Sequence, residues 1–528
     1  MLIRYTIQRS CYFNREEFFC LNIFLEKILL RKMNILSLLY SESRPFTVKE
    51  LAIKLGYTTK TILKMIEVLE FELQKWSNTV QLVVKENKEI QLKTSEKFSL
   101  KVIELSYLKE SHIFKACDAI FNGDFVDIAT FSNENYISYS TLYGRLIAIR
   151  PVLKQYQLEF KPNNKAHFLG EEKQLRYFFF HFYWNSSWGM EWPFKGIKKK
   201  QLLPFIEAIE QFKNSPLMIS EQEFFFYWLG VISVRIQNQH AIEDSPLMEI
   251  VIDGNPKFEL FSQKMYPLFK ELFSLEESQI HNEIKFLFTI LFIYTQYELE
   301  DPLISEMLVF SQNKEHLVFE ATNYWLKRYM EFFRLNLSAA EYGAIYTNLV
   351  HLHFRVYFFE GEQSSFFSRE DEIHKKEDVY HLMMAYFYKE LLQESKYYPI
   401  LKHKNDLLLN YTLLARKFIK LEIDYRPVRI QLLSVYGKAE TIQLTTKLQQ
   451  ICEEKIEFSY TLGEKVDLII SDRHYEELDE SVAPLVIWNE NPKVKDFMRI
   501  IKIIEELMIQ KFNHYLLKTE TNKSTFLE

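Results

Sequence analysis

Glycine is scarce in this 528-residue chain. It occurs 12 times, about 2% of positions where a share near 7% is usual, so tight turns are few and long helices are favoured. No two glycines lie closer than Gly189 and Gly196, which excludes G-x-G-x-x-G dinucleotide loops, Walker A phosphate loops and the G-x-S-x-G nucleophile elbow. The four cysteines, Cys11, Cys20, Cys117 and Cys452, contain no C-x-x-C pair, and no H-E-x-x-H occurs. A zinc ribbon, a disulfide framework and a resident cofactor are therefore not expected. Long apolar runs are also missing. The best stretch, Phe286 to Tyr294, is interrupted by Thr289 and flanked by Lys285 and Gln296, well short of the roughly 20 apolar residues that cross a bilayer. The N-terminus mixes Arg4, Arg9, Arg15, Glu16 and Glu17 with aromatics and has no small-residue cleavage site. A reducing cytoplasm without membrane attachment is the expected setting.

Aromatic residues are abundant, at 16% of the chain, and length alone suggests roughly three to four domains. The net charge of −6 is unevenly spread: residues 1–170 hold 24 Lys and Arg against 18 Asp and Glu, or +6, which leaves −12 for residues 171–528. The first third can meet phosphate more readily than the rest.

Periodicity is absent over residues 1–24, expected to be a poorly ordered extension, and begins at Leu25 with Ile28, Leu29, Ile35, Leu36, Leu38 and Leu39 on one helical side. Thr47 with Glu50 forms a capping box for a helix that ends at Gly56. Thr58 or Thr59 opens a second helix running to about Trp76, with Ile62, Ile66, Leu69 and Leu73 inward. Strands near Val80–Val84 and Glu89–Lys93 follow, joined by Lys85-Glu86-Asn87-Lys88. Helix, tight turn, helix and hairpin describe a winged helix-turn-helix over 25–98. The order repeats over 99–170: a helical run from Leu100 to Phe121, a short helix at Phe125–Phe131, a third opening at Ser138, and a hairpin around Lys161-Pro162-Asn163-Asn164. From Glu171 to about Ile419 the pattern is helical, read as two bundles at 171–285 and 286–419. Residues 420–515 alternate short apolar strands with helices, as in a small α/β domain with a parallel sheet, and 516–528 form a tail. The expected fold is thus mainly α and multidomain.

Ser138-Tyr139-Ser140-Thr141-Leu142-Tyr143, Leu169-Gly170-Glu171-Glu172-Lys173-Gln174-Leu175-Arg176-Tyr177-Phe178 and Tyr183-Trp184 are similar to the signature around the second winged helix of Mga-like virulence regulators. Leu25 to Trp76 resembles that family's first helix-turn-helix, and the resemblance extends to about residue 512. It implies a transcription regulator of Gram-positive bacteria with two DNA-binding modules, two phosphotransferase-system (PTS) regulation domains and an EIIB-like C-terminal domain. Residues 229–240 and 349–361 are similar to recurring stretches of the two regulation domains, which implies His240, His351 or His353 as acceptors of phosphate from the sugar-uptake relay. Where related first domains often carry a histidine, this chain has Trp228. The strand Val428–Val435 runs into Tyr436-Gly437-Lys438 without the cysteine that accepts phosphate in EIIB domains, so the C-terminal domain is expected to bind a partner or another subunit instead of relaying phosphate.

DNA contacts are expected from Thr59, Lys60, Leu63 and Lys64 in the first module, off the core face at the helix start, and from Tyr139, Ser140, Tyr143 and Arg145 in the second. Wing residues Lys85, Lys88, Lys161 and Lys165 are placed for flanking phosphates. His351 and His353 point roughly 200° apart on a helix and cannot share a metal ion. The expected activity is non-enzymatic: sequence-specific binding of double-stranded DNA, as an activator and as a homodimer or higher homo-oligomer, with the phosphocarrier protein as a second partner. An RNA-binding antiterminator with the same regulation domains and a phosphotransferase-system enzyme are the alternatives.

Overall fold

The computed structural model describes residues 21–42, 44–85, 89–187, 189–297, 299, 301, 303–312, 314–333, 335–361, 379–418, 427–452, 456–460, 465–474 and 483–524. The protein is mainly α-helical and multidomain, with a small parallel sheet near the C-terminus. It divides into two compact units, residues 1–295 with 354–368, and residues 296–353 with 369–528.

In the first unit a 3-10 turn, Leu21–Phe24, precedes α1 (Lys27–Glu42). Phe24 is fully buried, its ring edge-on to Phe182 at 5.3 Å, so ordered packing starts ahead of the expected Leu25. The first module continues through β1 (Phe46–Thr47), α2 (Val48–Leu55), α3 (Thr59–Glu72), β2 (Val80–Val84) and β3 (Glu89–Thr94). The strands pair antiparallel in the order β1-β3-β2. Thr47 and Glu50 form the expected capping box, and Gly56 closes α2 in the left-handed region at φ 64°. Both features satisfy backbone groups that a helix end leaves orphaned.

The second module comprises α4 (Leu100–Glu110), α5 (His112–Asn122), α6 (Ile128–Glu134), α7 (Tyr139–Ala148), α8 (Arg150–Gln155) and a hairpin of β4 (Glu159–Phe160) with β5 (Phe168–Leu169). Two expectations shift here. The run from Leu100 is broken at Ser111, whose ψ of 131° is extended. The short helix begins three residues later than read, because the Asp127 carboxylate accepts from the Thr130 N–H at 2.7 Å and sets its start.

A helical bundle follows, formed by α9 (Glu172–Ser187), α10 (Leu203–Lys213), α11 (Ile219–Gln237), α12 (Pro246–Ile252), α13 (Pro256–Leu272) and α14 (Glu277–Tyr294). The expected boundary at 285/286 falls inside α14, one uninterrupted helix. The compact units part instead after Thr295. Helix α9 is buried nearly all round. Its Arg176 is fully buried and forms a fork with the fully buried Glu283 of α14, at 2.6 and 2.8 Å. Glu172 accepts from Arg176 Nε at 2.9 Å and from Arg235 of α11 at 2.9 and 2.7 Å. The Ile242 N–H and the His240 carbonyl complete the set, bonded to Glu283 and Arg176. Around it Trp228 stacks on Phe180 at 4.2 Å.

The second unit contains α15 (Leu303–Gln312), α16 (Leu317–Phe333), most of α17 (Ala339–Phe358), α18 (Val379–Leu391), α19 (Tyr398–Leu401) and α20 (Lys404–Phe418). A sheet of β6 (Val428–Leu433), β7 (Ile456–Ser459), β8 (Leu468–Ser471) and β9 (Leu485–Ile487) follows, all parallel in the order β7-β6-β8-β9. Helices α21 (Lys438–Cys452) and α22 (Val494–Ser524) accompany it, and α22 passes the expected domain end at 515. Among the described residues, no helix is long and apolar enough to cross a membrane, and no group of three His, Cys, Asp or Glu is placed to hold a metal ion.

Removing one partner of a buried ion pair strands the other in a poorly solvating interior, at a cost of about 3–5 kcal/mol. Glu283→Ala is expected to destabilise the first unit by that order. The measurement is the first unit's melting transition by calorimetry; a shift no larger than that of a surface Glu→Ala control would contradict the role.

Candidate nucleic-acid interface

Each module places one helix by the same local device. Thr58 caps α3 by accepting from the Thr61 N–H at 3.2 Å, and Ser138 caps α7 by accepting from the Thr141 N–H at 3.2 Å. A cap fixes where the helix begins, and 3.6-residue periodicity then fixes which residues point outward. In α3 the buried side is Ile62, Met65, Ile66 and Leu69; Thr59, Lys60, Leu63 and Lys64 are exposed together on the other side. In α7 Leu142 and Leu146 are buried, while Tyr139, Ser140 and Tyr143 are exposed. The Tyr139 and Tyr143 rings stack at 6.1 Å with 9° between their planes.

Arg145 lies elsewhere. It points off the exposed face of α7, and its Nη1 is paired with Glu26 at 2.5 Å. Glu26 also meets His112 Nδ1 at 2.5 Å, and His112 Nε2 lies 3.3 Å from the Asn135 carbonyl in the turn before α7. Burial acts to raise the Glu26 carboxyl, but the His112 hydrogen bond and the Arg145 charge outweigh it and hold the group below the ordinary carboxylate range. The cluster joins the start of the first module to helix α7 of the second. A companion contact has Lys32 of α1 and Tyr107 of α4 both bonded to Glu72 of α3, at 2.7 and 2.8 Å. Sequence inspection did not single out Glu26 or His112, since their partners lie 119 and 86 residues away along the chain, for Glu26–Arg145 and His112–Glu26 respectively.

The wings are cationic but partly engaged. Lys85 is exposed and paired with Glu89 at 3.2 Å, and Lys161 pairs with Glu159 at 3.1 Å. Lys165 is exposed, and Lys88 lies outside the described residues. His167, beside Lys165, adopts a left-handed φ of 56° and bonds the Phe125 carbonyl through Nε2 at 3.1 Å. This ties the second wing to the loop before α6.

The three candidate histidines sit in different surroundings. His353 is fully buried with both ring nitrogens engaged, Nδ1 by Thr322 at 2.8 Å and Nε2 by Tyr411 at 2.6 Å; burial pushes its pKa down to about 3. His351 is buried too, its ring edge-on to Tyr297 at 5.3 Å. His240 is exposed, with a pKa lowered by partial burial and by Arg235. Trp228 is part of the aromatic core. In the α/β domain β6 leads into Ser434 and Val435, whose hydroxyl and N–H donate to Asp472 at 3.0 and 2.7 Å. Cys452 is buried in the last turn of α21.

Residues 26–75 match the M protein trans-acting positive regulator (MGA) HTH domain, and residues 96–183 match the Mga helix-turn-helix domain. Similar proteins include three from Bacillus anthracis. The capsule synthesis positive regulator AcpA is 26% identical over 223 residues, 42% of this chain and 45% of the relative. The capsule synthesis positive regulator AcpB is 22% identical over 220 residues, 42% and 45% of the two chains. The anthrax toxin expression trans-acting positive regulator is 27% identical over 223 residues, 42% and 46%. The matched region spans under half the length of each relative.

Burial of a neutral histidine has a consequence for pH. The folded pKa of His353, about 3, lies below the roughly 6.5 of an unfolded histidine, so the unfolded chain takes up the proton first as pH falls. Stability is complete above pH 6.5 or so and declines by up to about 1.4 kcal/mol per pH unit below it. The melting transition of the second unit is expected to fall between pH 6.5 and 5, and His353→Gln to flatten that dependence.

Proposed function

We propose, from the Mga-like helix-turn-helix tandem that the N-terminal third of the chain carries, that the protein is a sequence-specific double-stranded DNA-binding transcription regulator, acting as an activator of virulence or carbohydrate-responsive genes. The observation that carries this reading is the pair of side-chain-capped helices, α3 and α7, each with exposed residues in its first two turns and each in a module that also carries a β-hairpin. A helix presented by its N-terminal turns is the geometry with which helix-turn-helix proteins enter the major groove. Thr59, Lys60, Leu63 and Lys64 form one contact set and Tyr139, Ser140 and Tyr143 the other. Lys85, Lys161 and Lys165 are assigned to flanking phosphates. Arg145, engaged by Glu26, is left out of the contacts and holds α7 in position. The naming of the relatives as positive regulators supports activation. Two short reading helices per chain offer limited contact, and a symmetric homodimer would double it.

Control by the sugar phosphotransferase system is the finer part of the proposal. Of the three candidates, His240 alone is exposed, and an acceptor must present a ring nitrogen to its donor. Its carbonyl is bonded to Arg176, so two added negative charges would act next to the Arg176–Glu283–Glu172–Arg235 network.

Lys60→Ala with Lys64→Ala is expected to weaken binding to a promoter duplex by about tenfold or more and to reduce the slope of log affinity against log salt by about two. A fluorescence-anisotropy titration at several salt concentrations reads both, and an unchanged slope would remove the two lysines from the interface. Incubated with phosphoenolpyruvate and the general phosphotransferase proteins, the full chain is expected to take up phosphate and His240→Ala to take up none; equal labelling of the two would exclude His240.

A further inference from the structure

The two modules can be aligned position by position, because each reading helix starts from a capping residue with the same bond, Thr58 to Thr61 and Ser138 to Thr141. Counted from the caps, Thr59 corresponds to Tyr139, Lys60 to Ser140, Leu63 to Tyr143, Lys64 to Gly144 and Glu67 to Ile147. The first face carries two lysines. The second carries no cation, and a glycine stands where the first module has its long lysine. The turn differs as well: two residues before the cap the first module has Gly56 at φ 64°, and the second has Tyr136 at φ 53°.

Both exchanges run against the local energetics of the free protein. Gly144 sits inside a helix, where glycine is disfavoured relative to alanine, and a Cβ built there meets nothing within 4 Å. Packing within the chain does not require it. Tyr136 holds a left-handed backbone that favours glycine, and its side chain is 99% exposed, so neither its strain nor its ring is compensated by burial. A strained, solvent-facing tyrosine ahead of the cap and a glycine in open space in the second turn of α7 lie in sequence on either side of the stacked Tyr139 and Tyr143.

We infer that the second module reads duplex DNA by close, uncharged contact: Gly144 lets a groove wall or base edge approach the α7 backbone more closely than a side chain would allow, while Tyr136, Tyr139 and Tyr143 supply apolar surface. Thymine-rich steps suit such a face, because the thymine methyl group is the apolar feature of the major groove. Of the two helix faces, the first, with Lys60 and Lys64, then supplies the salt-dependent share, beside the phosphate contacts assigned to the wings. This assignment rests on the DNA-binding function proposed above and adds a division of labour between the modules, with Gly144 and Tyr136 as specificity-determining residues.

The test uses the full chain. A duplex is first selected by the wild-type protein from a random pool; failure to select any duplex would sink the DNA-binding function itself. On the selected duplex, Gly144→Ala and Tyr136→Gly are each expected to melt no lower than wild type, yet to bind about tenfold more weakly with an unchanged salt slope, whereas Lys64→Ala lowers the slope by about one. Wild-type affinity in both Gly144→Ala and Tyr136→Gly would overturn the inference while leaving DNA binding intact. Sedimentation of the same variants without DNA supplies the remaining control: a loss of oligomer mass would make this face a contact between copies of the chain and would overturn it as well.

Discussion

The first unit depends on the fork that Arg176 makes with Glu283. Both side chains are fully buried, and a buried guanidinium is tolerable only where carboxylates and carbonyls take up its donors. Four of its five N–H donors are taken up here: Glu283 accepts two bonds, Glu172 accepts from Nε, and the His240 carbonyl accepts one. The requirement for pairing fixes α9 against α14, draws Arg235 of α11 to Glu172, and holds the 240–242 segment by its backbone. Apolar packing on α9 alone would permit slippage, because Tyr177, Phe178, Phe179 and Phe180 offer rings in every direction. The charges select one register.

Helix α9 follows directly on the second wing, so this constraint bears on the helix-turn-helix third of the chain. Gly170, between β5 and α9, lies so close to Leu158 that a Cβ would come within 2.4 Å of its side chain. Tyr183 near the end of α9 bonds Asp118 of α5 at 2.7 Å, and Asn238 after α11 bonds the Phe121 carbonyl. The second module is therefore seated on the bundle by polar contacts from two helices as well as by the Phe114–Phe182 stack. Under the proposed function, a change near His240 reaches α9 through one hydrogen bond to Arg176, and α9 reaches α5 through Tyr183.

Local features were legible in the sequence and long-range ones were not. The Thr47–Glu50 box, the Gly56 stop, the Thr58 and Ser138 starts, the first hairpin and the parallel strands each follow from neighbours within a few residues, where capping and periodicity operate. The sidedness of Arg145 is a matter of helix phase, since a residue two after Tyr143 points roughly 200° away from it; the identity of its partner is not. Only the fold brings Glu26 close enough to claim it. The boundary at 285/286 failed for a related reason: α14 carries polar residues in its first half and apolar ones in its second, which resembles a junction in sequence but is one helix crossing from a wet to a buried environment. Gly144 and Tyr136 passed unnoticed because their meaning lies in comparison between two modules whose side chains share little identity.

Under the proposed function, the burial of His351 and His353 narrows where phosphate could be accepted. To expose His353, the chain would have to release Thr322 and Tyr411 from its two ring nitrogens and open the core they occupy. That requires local unfolding, which is slow and rarely populated in a well-packed helical interior. Trp228 removes a further option, since its indole fills the aromatic core between Phe180 and Phe286. What remains accessible is His240, in a segment that lies outside regular helix yet is tied to the buried charge network at both the His240 carbonyl and the Ile242 N–H. A charge added there would meet a surface ring backed by fixed ions, where electrostatic work can be done without first unfolding the domain.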